Sequence, residues 1–193
     1  MLRLRGFTLI ELMVTLTIGV FLLLALVPSF STWVANARVR SVAEEMQNSL
    51  RLAQAEAIRR NRLTVFALSN ASPALNAVPA TNGSNWYVQA LLLTGSADTA
   101  SSSDFVQGSN YATQGGVTIT GPALLCFSAL GSLVTKTATE TTLTSCSSAA
   151  TTFTLARSNA DRSLKVLVTV GGQVRMCDPK KTLSSTAPDG CPA

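Results

Sequence analysis

The sequence predicts an α+β fold in which one long N-terminal helix packs on a mostly antiparallel β-sheet or small β-sandwich. Three observations lead to this prediction: an almost uninterrupted apolar segment near the N-terminus, a helical periodicity that continues beyond it, and short strand-like segments after residue 62. A length of 193 residues is enough for one ordinary domain with an appendage. We therefore expect one β-rich domain carried by one extended helix.

The apolar segment runs from Phe7 to Val27, and Glu11 is its only charged residue. A helix of about 20 apolar residues crosses the hydrocarbon core of a bilayer, so this segment is long enough to span a membrane. A carboxylate inside such a span costs roughly 2.5–3.5 kcal/mol on insertion scales, and such residues usually have a partner and a function. We therefore expect some partner for Glu11; the alternative is that its side chain reaches the cytoplasmic interface.

The charges on either side of the apolar segment predict its orientation. Arg3 and Arg5 precede it and the next charge is Arg38, so the N-terminus is expected in the cytoplasm. An ordinary secretory signal is the alternative, but it would need a small-residue cleavage site after the apolar core. No convincing site is present in residues 27–30. The segment is therefore expected to remain in the mature protein.

Helical periodicity continues beyond the apolar segment and predicts one helix from about Thr8 to Arg60, roughly 80 Å long. Pro28 is expected to kink this helix or to open its hydrogen bonding locally. The basic run at residues 59–62 is expected to end it, because cations are favoured near a helix C-terminus. One apolar face recurs at steps of three and four residues: Val39, Val42, Ala43, Met46, Leu50, Ala53 and Ala57.

After residue 62 the apolar pattern becomes strand-like. Gly171 and Gly172 separate the last two predicted strands and are typical of a tight hairpin turn. Segments rich in Ser, Thr, Ala, Asn and Gly predict surface loops at 69–85, 95–116 and 135–150. The predicted strands are 63–68, 86–93, 117–120, 124–128, 152–156, 164–170 and 173–176.

The four cysteines all lie in the C-terminal third of the chain. An even number behind an export segment is typical of disulfides formed in an oxidising compartment. Their spacings do not fit a CxxC zinc or redox motif, and four buried free thiols are the alternative. Of the three connectivities we favour the sequential one, because each bond would close a short loop rich in Ser, Thr and Pro. The favoured pairs are Cys126–Cys146 and Cys177–Cys191.

The composition argues against an enzyme. The chain contains no histidine, which removes the commonest general base and metal ligand. No Ser-x-x-Lys, Gly-x-Ser-x-Gly, P-loop or calcium-loop spacing is present. The net charge of +5 is too small to predict nucleic-acid binding by itself. We therefore predict no catalytic, cofactor or metal site.

Residues Gly6-Phe7-Thr8-Leu9-Ile10-Glu11, behind a short basic leader, resemble the class III signal of type IV pilins and type II secretion pseudopilins. The resemblance implies that prepilin peptidase cleaves after Gly6 and that the new N-terminal Phe7 is N-methylated. It also implies the partner of Glu11. When the helices pack side by side in a fibre, the Phe7 amino group of one subunit would neutralise the carboxylate of its neighbour.

Three patches narrow the resemblance to the FimT/FimU/GspH group of minor pilins and pseudopilins: Leu125-Cys126-Phe127-Ser128, Gly131, and residues 172–177. Members typically carry Gly-Arg-x-Arg near the end of the last strand. Gln173 stands in place of the first arginine here, so only Arg175 matches. The resemblance implies a leader peptide (1–6), a transmembrane and fibre-core helix (7–27), its amphipathic continuation (28–62) and a periplasmic GspH-like domain (63–193).

The group contains three kinds of protein, of which we favour the first. A minor pilin would prime assembly of a type IV pilus and sit at or near its tip; a GspH-type pseudopilin would serve a type II secretion system; a FimT-like pilin would bind DNA during transformation. The paired cysteines and long loops favour the pilus subunit. For the third case the candidate DNA contacts are Arg175, Lys180 and Lys181, in a segment that Cys177–Cys191 would constrain. However, no aromatic residue is interleaved for base stacking.

The resemblance also implies a location and partners. The protein would be a single-pass protein of the inner membrane with its C-terminal domain in the periplasm, and would later join an extracellular pilus or a periplasmic pseudopilus. Its partners would be prepilin peptidase, other major and minor pilins or pseudopilins, inner-membrane lipid and the assembly platform of that membrane. DNA would be a further partner only in the third case.

Overall fold

The computed structural model describes residues 8–91, 104–111, 115–135 and 146–192, with the backbone alone over residues 23–29. Its dominant element is the helix α1, Leu9–Arg60, which has 52 residues. The hydroxyl of Thr8 caps the first turn, and Asn61 ends the helix in the left-handed conformation (φ 50°, ψ 40°). The helix includes Pro28, so this proline does not end it, and the kink at Pro28 stays a prediction.

The second half of α1 carries the face that the sequence predicts. All seven predicted apolar residues, from Val39 to Ala57, have at most 1% of their surface exposed, so this prediction is confirmed. Ala35 is the first buried residue of α1 among the side chains that the structure describes. The domain is therefore fastened to the C-terminal half of the helix, and the N-terminal half projects from it.

The described strands form two sheets, and all pairs are antiparallel except β8 with β9. The first sheet has the order β3-β2-β1-β5 and the second β4-β6-β7-β8-β9. Together with the helix they make the predicted α+β fold. The strands are β1 Thr64–Ser69, β2 Asn85–Ala90, β3 Asp104–Asn110, β4 Thr118–Thr120, β5 Leu124–Phe127, β6 Thr151–Ala156, β7 Leu164–Val168, β8 Val174–Thr182 and β9 Gly190–Cys191.

The main core lies where α1 meets both sheets. Leu50 and Met46 of the helix pack in one cluster with Phe66 of the first sheet and Phe153 of the second. The rings of Phe66 and Phe153 meet edge to face with centroids 5.9 Å apart, so the two sheets also contact each other directly. A smaller cluster, which includes Val65 and Cys126, covers the opposite face of the first sheet. The first sheet is therefore buried on both faces.

Two loop predictions are wrong. Residues 95–116 were expected to be a loop, but they contain β3, an edge strand whose residues are mostly exposed or half-buried. Its irregular pairing, with a register shift opposite Val88 and Gln89, disrupts the alternating pattern that identifies a strand in sequence. The strand predicted at 173–176 continues to Thr182, so Lys180 and Lys181 lie on β8 and not after the end of the last strand.

The hairpin predicted at Gly171 and Gly172 joins β7 to β8, where the Gly172 N–H donates to the carbonyl of Thr169 at 2.8 Å. Gly172 has φ +83°, a conformation that glycine adopts without strain. Its backbone lies directly against Gly131, whose carbonyl accepts a hydrogen bond of 2.9 Å from the side chain of Gln54. The hairpin, the loop after β5 and the helix therefore meet at one tightly packed point.

Ion pairs hold the C-terminal end of α1. The carboxylate of Glu56 accepts hydrogen bonds from Arg59 and Arg60, and Arg60 also contacts Asp104 of β3 at 3.0 Å. The hydrogen bonds from Arg59 and then Arg60 lower the pKa of Glu56 from 4.5 to about 2. Two arginines of the basic run 59–62 therefore form ion pairs at the helix end, and one of them links it to the first sheet.

Glu56→Gln is expected to lower the free energy of unfolding by about 1 kcal/mol at pH 7. Because the folded-state pKa lies below the ordinary value, the contribution is complete above pH 4.5 and is lost as the pH falls towards 2. Chemical unfolding of the detergent-solubilised protein at both pH values measures this. A difference between the two proteins that persists at pH 2 would contradict the ion-pair explanation.

Candidate functional site

The candidate site for subunit assembly is the N-terminal half of α1. The Thr8 hydroxyl accepts a hydrogen bond of 3.3 Å from the backbone N–H of Glu11, which places the carboxylate in the first helical turn. A carboxylate is favoured there by the helix dipole. The sequence analysis missed this cap, although Thr-x-x-Glu before an apolar run is a recognised signal of a helix start.

The predicted processing residues Gly6 and Phe7 lie outside the described residues, so their roles stay predictions. The carboxylate of Glu11 has no ion-pair partner within the described part of the chain. Its predicted partner belongs to another subunit.

The helix surface on both sides of Glu11 is apolar and uncovered. Ten large apolar side chains here are each at least 50% exposed: Leu9, Ile10, Leu12, Met13, Val14, Leu16, Ile18, Val20, Phe21 and Leu22. The hydroxyls of Thr15 and Thr17 donate to the carbonyls of Leu12 and Val14 at 2.9 Å, so both polar groups are satisfied within the helix. Such a surface needs an apolar environment, whether lipid or the helices of other subunits.

Within the described residues, no helical stretch has the length and hydropathy that a membrane crossing requires. Part of the predicted span 7–27 lies outside the description, namely residue 7 and the side chains of residues 23–27.

Both disulfides join the pairs expected from the sequence. Cys126 on β5 bonds to Cys146, with Cα atoms 5.7 Å apart, and both residues are buried in the smaller cluster. Cys177 on β8 bonds to Cys191 on β9, with Cα atoms 5.0 Å apart. The first bond closes over the outer face of the first sheet, and the second fixes the C-terminal strand to the edge of the second sheet.

Removing the first disulfide with Cys126→Ala and Cys146→Ala is expected to lower the free energy of unfolding by about 3 kcal/mol, because the unfolded chain gains loop entropy. Denaturant unfolding under non-reducing conditions measures the loss. The matched control is Cys177→Ala with Cys191→Ala, which opens a shorter loop at the edge of the fold. An unchanged midpoint for the first pair would contradict a stabilising role.

The structure does not bring the three candidate DNA contacts into one free patch. The guanidinium of Arg175 donates to the carbonyl of Pro188, and Lys181 pairs with Asp189. The hydrogen bond from Lys181 lowers the pKa of the Asp189 carboxyl. Lys180 instead donates to the backbone of Asp161, between β6 and β7. Two cations therefore lie at the C-terminal segment and the third at another turn, and their DNA contacts stay a prediction.

Among the described residues no cluster of His, Cys, Asp or Glu is arranged to hold a metal ion.

Comparison with protein-family models shows which family this chain belongs to. Residues 42–172 match the family model described as type II transport protein GspH, and residues 1–27 match the prokaryotic N-terminal methylation motif. The chain belongs to the GspH family. The methylation motif and the family together indicate a membrane-anchored pilin-like subunit of the periplasm.

Solved structures support the GspH-family fold. Two crystal forms of the type IV minor pilin FimU from Pseudomonas aeruginosa are each 18% identical and cover 79% of this chain. The TM-scores are 0.50 and 0.52, with 98% and 94% of the FimU chain covered. The minor pseudopilin EpsH from the type 2 secretion system of Vibrio cholerae is 11% identical, with a TM-score of 0.48, and covers 75% of this chain and 99% of its own. No curated protein matches the sequence.

The family assignment confirms the resemblance stated from the sequence. The chain is a pilin-like protein of the GspH family that carries the N-terminal methylation motif.

Proposed function

We propose that this GspH-family protein is a minor pilin of a type IV pilus, which primes assembly and sits at or near the fibre tip. The observation that carries the proposal is the projecting half of α1, an uncovered apolar surface with one carboxylate in its first turn. This is the arrangement that a subunit needs in order to move from a lipid environment into a core of packed helices. The role is structural, without catalysis.

In the proposed sequence of events, residues 1–6 are removed by prepilin peptidase and Phe7 becomes the methylated N-terminus. Residues 7–27 first anchor the protein in the inner membrane, with the β-rich domain in the periplasm. The assembly platform then extracts the subunit, and the segment joins the fibre core. The carboxylate of Glu11 pairs there with the amino group of Phe7 in a neighbouring pilin, because each charge removes the cost of burying the other in an apolar core.

Two structural features support the pilus over the secretion pseudopilus. The outer face of the first sheet is covered and fixed by the Cys126–Cys146 bond, and the C-terminal strand is fixed by Cys177–Cys191. A surface constrained in this way suits a domain that is exposed outside the cell at a fibre tip. The pseudopilus role is the alternative, favoured by the description of the matching family as a type II transport protein.

A clean gene deletion, scored in one strain for surface pili, exoprotein secretion and DNA uptake, tests the proposal. Loss of pili with intact secretion is the expected result. Intact pili with lost secretion would assign the protein to the pseudopilus instead. If pili and secretion both survive and only uptake fails, Arg175, Lys180 and Lys181 become the residues to test.

A further inference from the structure

Five cations from distant parts of the chain meet around α1 at the end of the domain nearest its projecting half. We call them the basic collar: Arg38, Arg40, Arg157, Arg162 and Lys180. The helix contributes two of them, the turn between β6 and β7 two more, and β8 the last. Because Ala35 is the first buried helical residue, the collar lies at the level where the domain begins.

Specific contacts hold the collar in place. The side-chain oxygen of Asn36 accepts hydrogen bonds from the backbone N–H groups of Asp161 and Arg162, at 3.0 and 3.3 Å, which fixes the turn against the helix. Arg162 and Arg40 then line the same groove beside the helix. The ammonium group of Lys180 donates to the backbone carbonyl of Asp161 in the same turn.

The other side of the helix carries the remaining two arginines. A Cβ placed on Gly115 would lie 3.7 Å from Cδ of Arg38 and 3.8 Å from a guanidinium nitrogen of Arg157, so these two cations border the same space. On a helix with about 3.6 residues per turn, Arg38 and Arg40 lie on opposite sides of the buried face. The collar thus flanks the helix on both sides instead of forming one pocket.

Nearby acids offset only part of the positive charge of the collar. Arg40 pairs with Glu44 at 2.8 Å, but both side chains are at least 50% exposed, so the pair is weak. Within the described residues Arg38, Arg157 and Arg162 have no ion-pair partner. Asp178 and Asp189 line the groove next to Arg162, and Asp189 interacts electrostatically with both Lys181 and Arg162, so these acids offset part of the charge on that side of the helix. Like charges held together repel each other, which favours an anionic ligand for this surface.

An exposed aromatic pair lies one to three turns before the collar. Phe30 and Trp33 are 65% and 66% exposed, and their rings lie 6.0 Å apart. Trp, whose ring is apolar but carries a polar N–H, is enriched at the boundary between membrane and water, which is the expected place for Trp33. The proposed span ends at Val27, so at about 1.5 Å per residue Trp33 lies about 9 Å beyond its end. Arg38 and Arg40 lie about 8–11 Å beyond Trp33, so the collar is within about one Debye length of the headgroups.

We propose that the basic collar docks the domain on anionic phospholipid headgroups before the subunit is extracted into the fibre, with Phe30 and Trp33 in the interfacial layer. The proposal rests on the membrane insertion stated under the proposed function. The aromatic pair favours lipid over DNA as the polyanion, because it places the collar at a membrane surface. Extraction would then break these contacts, and the lipid composition of the membrane would set how readily the subunit leaves it.

The test uses the full chain in nanodiscs of phosphatidylcholine alone or with about one third phosphatidylglycerol. Hydrogen exchange of the amides at residues 157–163 reports whether the turn is covered. With phosphatidylglycerol we expect exchange at least about threefold slower, and the difference should disappear in about 0.5 M salt. The variant R38Q/R157Q/R162Q should show no difference between the two lipid mixtures. Unchanged exchange in β1 and β6 establishes that the variant is folded.

The matched control is R51Q/R59Q/R62Q, which removes the same charge near the C-terminal end of α1, including Arg59 of the pair with Glu56. With unchanged exchange in β1 and β6, this variant should keep the lipid effect. Equal exchange in both lipid mixtures, or an equal loss of the effect in both variants, would overturn the proposal. So would protection of the turn by a short DNA duplex in discs where phosphatidylglycerol gives none. A chain that fails to co-purify with the discs would contradict membrane insertion itself, whereas an inserted chain without a lipid effect contradicts docking alone.

Discussion

Glu11→Ala is expected to leave membrane insertion intact and to reduce incorporation into fibres at least about tenfold. Insertion should survive, because the substitution removes a carboxylate that costs roughly 2.5–3.5 kcal/mol inside a span. Incorporation should fail because the amino group of Phe7 in the neighbouring subunit would be left unpaired in an apolar core, which is strongly destabilising. Quantitative immunoblots of the membrane fraction and of sheared fibres measure the two quantities separately.

Two matched variants separate the charge of Glu11 from its place in the helix cap. Glu11→Gln keeps the size of the side chain and should be as defective as the alanine variant. Thr8→Ala removes the hydroxyl that caps the first turn but leaves the carboxylate, and should incorporate nearly normally. If Thr8→Ala is as defective as Glu11→Ala, the start of the helix rather than the charge pair is essential, and normal incorporation of Glu11→Ala would refute the pairing.

Gly172→Ala is expected to lower the free energy of unfolding by about 4 kcal/mol, from two effects of one methyl group. The left-handed conformation at φ +83° costs an alanine roughly 1–2 kcal/mol. The added Cβ would also overlap the carbonyl oxygen of Gly131 and lie 2.6 Å from Nε2 of Gln54. Relieving that overlap requires a shift of backbone that is packed against the helix, which costs roughly a further 1–3 kcal/mol. Denaturant unfolding of the detergent-solubilised protein measures the loss.

The neighbouring glycine supplies the control. At Gly171 the nearest atom to an added Cβ is Oγ1 of Thr169 at 4.0 Å, and no unusual φ is required there. Gly171→Ala should therefore change the free energy of unfolding by less than about 0.5 kcal/mol. Equal effects at the two positions would show that general flexibility of the hairpin, and not the contact with Gly131, determines stability.

The sequence predicts the strongly periodic parts of the fold well. The buried face of α1 from Val39 to Ala57 follows from apolar spacing alone, because a helix that packs on a sheet must repeat its contacts every three or four residues. The hairpin at Gly172 follows from local turn chemistry. The edge strand β3 was missed because a half-exposed strand with irregular pairing has no clean alternation. The extension of β8 through Pro179 was missed because proline usually marks the end of a strand, although the irregular pairing with β9 between Asp178 and Thr182 tolerates it.

Of the candidate sites, Glu11 could be found from the sequence and the basic collar could not. Glu11 is conspicuous in sequence because a lone charge in an apolar segment has a high energetic cost. The basic collar is not, because its two helical members lie more than a hundred residues before the other three and only the packing of the turn at Asn36 brings them together. Lys180 shows the same effect. Its closeness in sequence to Arg175 favoured a shared patch, but it bonds to Asp161 instead.

The continuous helix also determines how the domain responds to mechanical force. A pull on the N-terminal half of α1 is transmitted without a hinge loop into its C-terminal half, which is packed across both sheets. Because the pull runs along the helix axis, the contacts from Val39 to Ala57 are loaded in shear and must yield together. Both disulfides join strands or loops of the β-domain and carry none of this load. The mechanical strength of the subunit therefore resides in the side-chain packing of the helix, and its chemical durability in the cross-links.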